Sequence, residues 1–303
     1  MKKVLLLGHP LGHSASPVFQ NAGFKALGVD VTYELCDILP EELESKIKEI
    51  RDSGEYLGCN VTIPYKVDAK GLVDKIDDEN DYVNIIGAIN TIVNKNGVLW
   101  GYNTDVYGFL GAYKNKFGLN SKAVKFFKDK KVFIAGAGGA GRAVAAGALV
   151  EDAEKIFVFD VDNSKASELV KHLAASYGTD RYKPEIRNVA ESAVDEHVKE
   201  ADIIVNATPL GMGRDTRKSI NTEVLHSEQF VFDLVYNPLE TPLLKDAKQK
   251  GLKCCGGLLM LLYQGMWASD LWMEEFTGRK QPFLNAYKAM EEALKKHFKV
   301  KEL

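Results

Sequence analysis

Cysteine is scarce in this 303-residue chain: Cys36, Cys59, Cys254 and Cys255 are all there is, and none forms a C-x-x-C pair. That excludes a disulfide-framed secreted scaffold and fits reduced, buried thiols in a cytoplasmic protein. The six histidines lack the spacing of a zinc site, so no metal is expected. No block of lysine or arginine stands out and the formal charge is only −3, which argues against nucleic acid or a membrane surface as partner. No apolar run is long enough to span a bilayer. The opening run after Met1-Lys2-Lys3 is too short for a signal peptide. Internal repeats and low-complexity tracts are absent as well. With 46% apolar and 27% charged residues, the chain has the balance of an ordinary globular protein of one or two domains.

What is present is an alternation of short apolar runs and helical patterns. Val4–Leu7, Val31–Leu35 and Tyr56–Val61 read as strands, with helices opening at Ser16-Pro17 and Pro40. Strands alternating with helices imply a mostly parallel α/β sheet. Three polar stretches follow such strands: Gly8–Pro17 with Ser14 and Ser16, Asn60–Lys66, and Gly101–Asp105. Strand ends of this kind gather on one edge of an open sheet, where ligands bind. Ser16 has the form of a helix cap. Pro64 fits a helix start, which would put Lys66 in a first turn, against the preference of the helix dipole. An amine held there out of water can do acid–base work. Asn94-Lys95-Asn96-Gly97 between two apolar runs reads as a hairpin turn.

Further on, Val132–Ala135 enters Gly136-Ala137-Gly138-Gly139-Ala140-Gly141, and a helix rich in alanine follows. A strand, a G-x-G-x-x-G loop and a slim helix make a pyrophosphate cradle. The next strand, Ile156–Phe159, ends at Asp160, about 20 residues beyond the loop, where a ribose-binding acid belongs. Asp162 there serves equally as a helix cap before Asn163-Ser164. Tyr236, after the strand at Phe230–Val235, either reaches a substrate or caps the sheet edge. Lys253–Cys255 is the last strand, Gly256-Gly257 breaks the chain, and two more helices close it.

The Ser-x-Ser-Pro loop, Asn-Val-Thr-Ile-Pro-x-Lys, Gly87-Ala88-Ile89-Asn90-Thr91, Gly-Tyr-Asn-Thr-Asp, Asn206–Met212 and Gln264 together resemble the shikimate dehydrogenase family, in order along nearly the whole chain. The resemblance implies a two-lobed α/β protein, with an N-terminal mostly parallel α/β substrate domain (1–110 and 257–303) and a Rossmann dinucleotide-binding domain (111–256). It implies that Lys66 and Asp105 flank the reacting hydroxyl of shikimate and that Ser14 and Ser16 hold its carboxylate. Thr62, Asn90 and Gln264 would read its hydroxyls. Thr208 and Gly257 join Gly136–Gly141 and Asp160 as dinucleotide contacts.

Three departures from the family pattern point in one direction. Common NADP-using members carry Asn-Arg-Thr where this chain has Asp160-Val161-Asp162, so NAD is expected over NADP. Lys165 remains as a candidate phosphate contact. Gln20-Asn21 and Gln264-Gly265 replace His-Asn and Gln-Ala, closer to the branch that oxidises quinate as well as shikimate. The expected activity is reversible NAD-dependent oxidation of shikimate to 3-dehydroshikimate, with quinate as a further substrate. A homodimer is compatible with this. The alternatives are a strictly NADP-dependent biosynthetic shikimate dehydrogenase, a methylene-tetrahydrofolate-type dehydrogenase and a catalytically silent nucleotide-binding regulator.

Overall fold

The computed structural model describes residues 1–12, 14–77, 82–119, 125–176, 184–279 and 283–303. His13, inside the serine stretch, lies outside the described residues. The chain divides into two compact units, Met1–Gly108 with Leu261–Leu303, and Phe109–Met260.

The first unit opens with β1 (Lys2–Gly8), α1 (Ser16–Leu27), β2 (Val31–Asp37), α2 (Leu43–Asp52) and β3 (Tyr56–Val61). There follow β4 (Lys75–Ile76), α3 (Tyr82–Ile86), β5 (Thr91–Lys95), β6 (Val98–Tyr102) and α4 (Asp105–Phe117). The sheet order is β2-β1-β3-β5-β6-β4. β1 pairs in parallel with β2 and β3, while β5 runs antiparallel to both β3 and β6. β1 is apolar from Val4 to Leu7 because both its faces are covered there. Val4 and Leu6 enter one core with Phe24, Tyr33 and Trp272, and Leu5 and Leu7 enter another with Ile47, Ile50 and Val61. The β5–β6 turn has positive φ at Asn96 (54°) and Gly97 (86°), as a tight two-residue hairpin needs.

The second unit is a regular parallel layer: β7 (Lys131–Ala135), α5 (Gly139–Val150), β8 (Lys155–Phe159), α6 (Asn163–Ser176), β9 (Glu185–Asn188), α7 (Val194–Glu200), β10 (Ile203–Asn206), β11 (Phe230–Asp233), α8 (Pro242–Gln249) and β12 (Lys253–Gly256). Its order, β12-β11-β10-β7-β8-β9, reverses direction beside β7, the switch point where α/β sheets bind ligands. Thr241 caps α8 by accepting from the Leu244 amide, and Pro242 takes the first turn.

Two helices complete the chain, α9 (Gly257–Thr277) and α10 (Leu284–Phe298). α10 packs on α1, with Met290 and Ala286 against Gly23. Gly256-Gly257 does not interrupt the chain: β12 runs directly into α9. The divisions between the units fall inside α4 and α9 rather than in loops.

Candidate active site

In the first unit, the loops after β1 and β3 are stitched together. Thr62 donates its backbone N–H to Leu7 O (2.8 Å) and His9 donates to Ile63 O (3.0 Å). Asp37, at the end of β2, accepts from the Leu11 amide (2.9 Å) and meets His9 Nδ1 at 2.6 Å. Those contacts, the Leu11 amide first, hold the Asp37 carboxyl below its ordinary range. Ser16 is the first residue of α1 and caps nothing; Ala15 occupies the cap position. Ser14 Oγ instead accepts from the Ser16 amide at 3.3 Å. Both hydroxyls sit at the opening turn of α1, where unpaired N–H groups favour an anion.

Lys66 is not in a helix. Residues 63–67 form a turn, closed by the Tyr65 amide on Thr62 O and fixed by the Ile89 amide on Lys66 O (both 2.9 Å). The conflict with the helix dipole expected from the sequence therefore does not arise. Lys66 Nζ donates to Asp105 Oδ2 at 2.5 Å, with side chains 13% and 7% exposed. Asn90 Nδ2 donates to the other oxygen, Asp105 Oδ1, and to Thr104 Oγ1 (2.9 Å each), and reaches Gln264 Oε1 at 3.4 Å. Gln264 Nε2 is turned to its own helix, on Leu261 O at 2.8 Å. Lys66, Asp105, Asn90 and Gln264 thus converge, whereas Thr62 lies on the loop leading to Lys66 and shows no side-chain bond. A cavity of about 910 Å³ bounded by Trp100, Tyr107 and Trp267 has none of the expected substrate residues in its walls.

In the second unit the glycine loop is held from three sides. Gly136 has φ of +104° and donates to Phe159 O at 2.7 Å. A Cβ on Gly141 would lie 1.9 Å from Gly136 O, so only glycine lets α5 start this close to the strand end. Gly138 has open space beside it, leaving room for a pyrophosphate at the N-terminus of α5. Gly139, Ala140 and Gly141 form that helix's first turn, so their N–H groups have no intrahelical partner. Asp160 accepts from the Ala137 amide (2.8 Å) through Oδ2 and from the Asp162 amide (2.9 Å) through Oδ1. Each oxygen keeps a second lone pair for a ribose hydroxyl. Asp162 accepts from the Ser164 amide and hydroxyl at the start of α6, as a cap does. Thr208 lies after β10, its hydroxyl donating to Asn206 Oδ1 at 2.7 Å. Gly257 packs on the backbone after β11, its amide on Val235 O at 3.2 Å, and Tyr236 is the next residue of that loop.

Comparison with known proteins follows the same division. Residues 6–92 match the family model for the shikimate dehydrogenase substrate binding domain, and residues 130–237 match the model for NADP oxidoreductase, coenzyme F420-dependent. The chain is 41% identical over 297 residues to the shikimate dehydrogenase (NADP(+)) of Methanosarcina acetivorans, covering 97% of this chain and 99% of that one. The chain belongs to the shikimate dehydrogenase family. A shikimate dehydrogenase solved with NADP+ is similar at a TM-score of 0.81 and 35% identity, over 97% of this chain and 96% of that one. A quinate dehydrogenase from Corynebacterium glutamicum solved with NAD is similar at a TM-score of 0.80 and 28% identity, over 95% and 98%. As a family member, the chain is an oxidoreductase with a substrate-binding domain and a Rossmann domain that binds a nicotinamide dinucleotide.

Two residues that shape this site carried no assigned role in the sequence. Asn103 Oδ1 accepts from the Asp105 amide (3.0 Å), and its Nδ2 donates to Ala88 O, so it starts α4 and anchors it. Asn60 stands behind Asn90: it donates to Asn90 O (3.0 Å) and Thr91 Oγ1 (2.9 Å) and accepts from the Tyr33 hydroxyl (2.7 Å). Both lay within quoted motifs, which was the available signal. No group of ligating side chains able to hold a metal occurs among the described residues.

Proposed function

We propose that this chain reversibly oxidises shikimate at one ring hydroxyl to 3-dehydroshikimate. The observation that carries the reading is the largely buried Lys66–Asp105 pair, keyed by Asn90. Lys66 takes the hydroxyl proton on oxidation and returns it on reduction. Asp105 orients the amine and accepts from a substrate hydroxyl. Asn90 fixes the carboxylate, and with Thr62 and Gln264 reads neighbouring hydroxyls. Ser14 and Ser16 bind the carboxylate at the head of α1. Tyr236 keeps two roles, substrate contact or sheet-edge cap. When bound, the nicotinamide supplies the hydride chemistry. Gly136–Gly141, Asp160, Thr208 and Gly257 are the residues that would hold the dinucleotide, and the open space at Gly138 fits its pyrophosphate.

Two readings of the cofactor stand. Curated relatives carry NADP(+) in their names, which favours the NADP-dependent alternative over the expectation of NAD. This chain's own side chains favour NAD. Two carboxylates, Asp160 and Asp162, lie where a 2′-phosphate would sit, and the residue between them is an exposed valine, Val161. Lys165 is 3.8 Å from Asp162 and shared with it. A phosphate of charge about −2 is repelled there. Quinate use is supported by Gln20 and Gly265 and by the likeness to a quinate dehydrogenase. Initial rates with shikimate or quinate, each with NAD or NADP, test all of this. Reduction of neither cofactor by shikimate would overturn the activity. A higher kcat/KM with NADP would overturn the NAD reading alone.

A further inference from the structure

We infer that Asp233 is a positioning residue for the dinucleotide, acting through Asn206 on Thr208 and through the backbone on the loop that carries Tyr236. The inference rests on the dinucleotide reading of the second unit. Asn206 and Asp233 are register partners at the last position of the neighbouring strands β10 and β11, beside the switch point. Asp233 is fully buried and Asn206 is 1% exposed. A carboxylate at the end of an apolar strand, sealed from water, is costly unless its neighbours depend on it.

Both its oxygens are committed. Oδ1 accepts from Asn206 Nδ2 (2.8 Å) and from the Val235 amide (3.0 Å), and Oδ2 accepts from Thr241 Oγ1 (2.5 Å). An ionised carboxylate only accepts, so the Asn206 amide must present its NH2 to Asp233. Asn206 Oδ1 is thereby left facing the next loop, where it accepts from the Thr208 amide (3.1 Å) and the Thr208 hydroxyl (2.7 Å). With its proton spent, the Thr208 hydroxyl accepts from the Leu210 amide at 3.2 Å. The direction of every hydrogen bond from Thr208 inward is therefore set by one buried charge. Asp233 also reaches the second loop through the Val235 amide on Oδ1, and that loop is held again by its partner, since Leu234 donates to Asn206 O (2.9 Å). Thr208 and the loop of Tyr236 thus meet at the Asn206–Asp233 pair, and Gly257 reaches it one step further out, through Val235 O. Reversal of the Asn206 amide would leave Thr208 facing two donors, and the loop would give up the shape offered to the dinucleotide.

The test uses the full chain with Asp233→Ala, Asn206→Ala, the double variant and Thr241→Val. Dinucleotide KM and fluorescence-titrated Kd are expected to rise about tenfold or more in each of the first two, with shikimate KM within twofold. The double variant is expected to be no worse than either single, because both cut one chain of contacts. Thr241→Val, which leaves the Asn206 contact intact, is expected to lower Tm without moving the dinucleotide KM. If Asp233→Ala does not fold, Asn206→Ala decides, since it keeps the other contacts of Asp233. Unchanged dinucleotide affinity in folded Asn206→Ala, or multiplying effects in the double variant, overturns the role of Asp233 alone. A wild-type chain that binds neither dinucleotide overturns the dinucleotide reading and this one with it.

Discussion

Lys66→Ala removes one atom group from a closed circuit, and its consequences can be worked from the distances. Nζ sits 2.5 Å from Asp105 Oδ2, and the second oxygen is occupied by Asn90 at 2.9 Å. Without the amine, Asp105 keeps one of two partners in a site only 7% exposed on its own side chain. Cutting one partner from a buried pair costs up to about 3–5 kcal/mol, and the opening toward a substrate lowers that figure here. A drop of several degrees in Tm is therefore expected. The kinetic loss is separate. A positioned acid–base group contributes roughly 10²–10⁴-fold, so kcat should fall by that factor while shikimate KM rises only a few-fold. Dinucleotide Kd should not move, because every residue assigned to that ligand belongs to the second unit. Absorbance of the reduced nicotinamide gives kcat and KM, and fluorescence titration gives Kd. A folded Lys66→Ala protein with kcat within about threefold of wild type would refute the acid–base role. Asp105→Asn separates positioning from proton transfer: the neutral amide still occupies the site but no longer holds the ammonium by charge. It should lose turnover as well, with a weaker fall if Lys66 alone moves the proton.

Three further outcomes follow from the same coordinates. Val161 is 91% exposed, so Val161→Arg costs the fold little and should raise kcat/KM for NADP roughly tenfold or more through a charge-assisted phosphate contact; an unmoved NADP/NAD ratio would sink that placement. Gly265→Ala would set a Cβ 2.3 Å from Phe19 Cε2, a fully buried ring, so overpacking of about 1–3 kcal/mol should appear as a lower denaturant midpoint with m unchanged. Burial pushes the Asp270 carboxyl up to about 6, above its ordinary 3.8, where it accepts from the Tyr287 hydroxyl. The folded chain therefore binds the extra proton, and this group's stabilisation is complete below pH 3.8 and lost as pH rises through about 6. On the order of 3 kcal/mol is involved, and Asp270→Asn should flatten that part of the Tm–pH curve; superimposable slopes would contradict it.

How much of this was legible in the sequence depended on how local the cause was. The Asn96-Gly97 hairpin was legible because positive φ is a property of those two residues. The glycine loop was legible because a strand end, a tight turn and a helix start follow one another directly. Ser16 was misassigned by one position, since a serine followed by proline fits the cap and the first turn almost equally well, and here Ala15 took the cap. Lys66 was placed in a helix because Pro64 permits one. What decides the matter is the Ile89 amide on Lys66 O, a partner 23 positions away that no local pattern reveals.

The residues without an assigned role share one property. Asn60, Asn103 and Asp233 each lie within one residue of a strand's end, and each bonds a residue outside its own strand. Asn60 reaches Asn90 and Thr91, Asn103 reaches Ala88, and Asp233 reaches Asn206. A strand's period of two tells which face a side chain takes, but not which residue of a neighbouring strand stands opposite. In the first unit, that opposition requires knowing that β5 runs against β3 rather than alongside it, with Asn60 facing Thr91. In the second it requires the reversal of order beside β7, which puts β10 next to the glycine-loop strand and β11 next to β10. Residues that touch ligand can be recognised from their own chemistry at a strand end. Residues that aim them become visible only when register is known, and they should be the ones whose replacement changes affinity without changing any residue at the ligand.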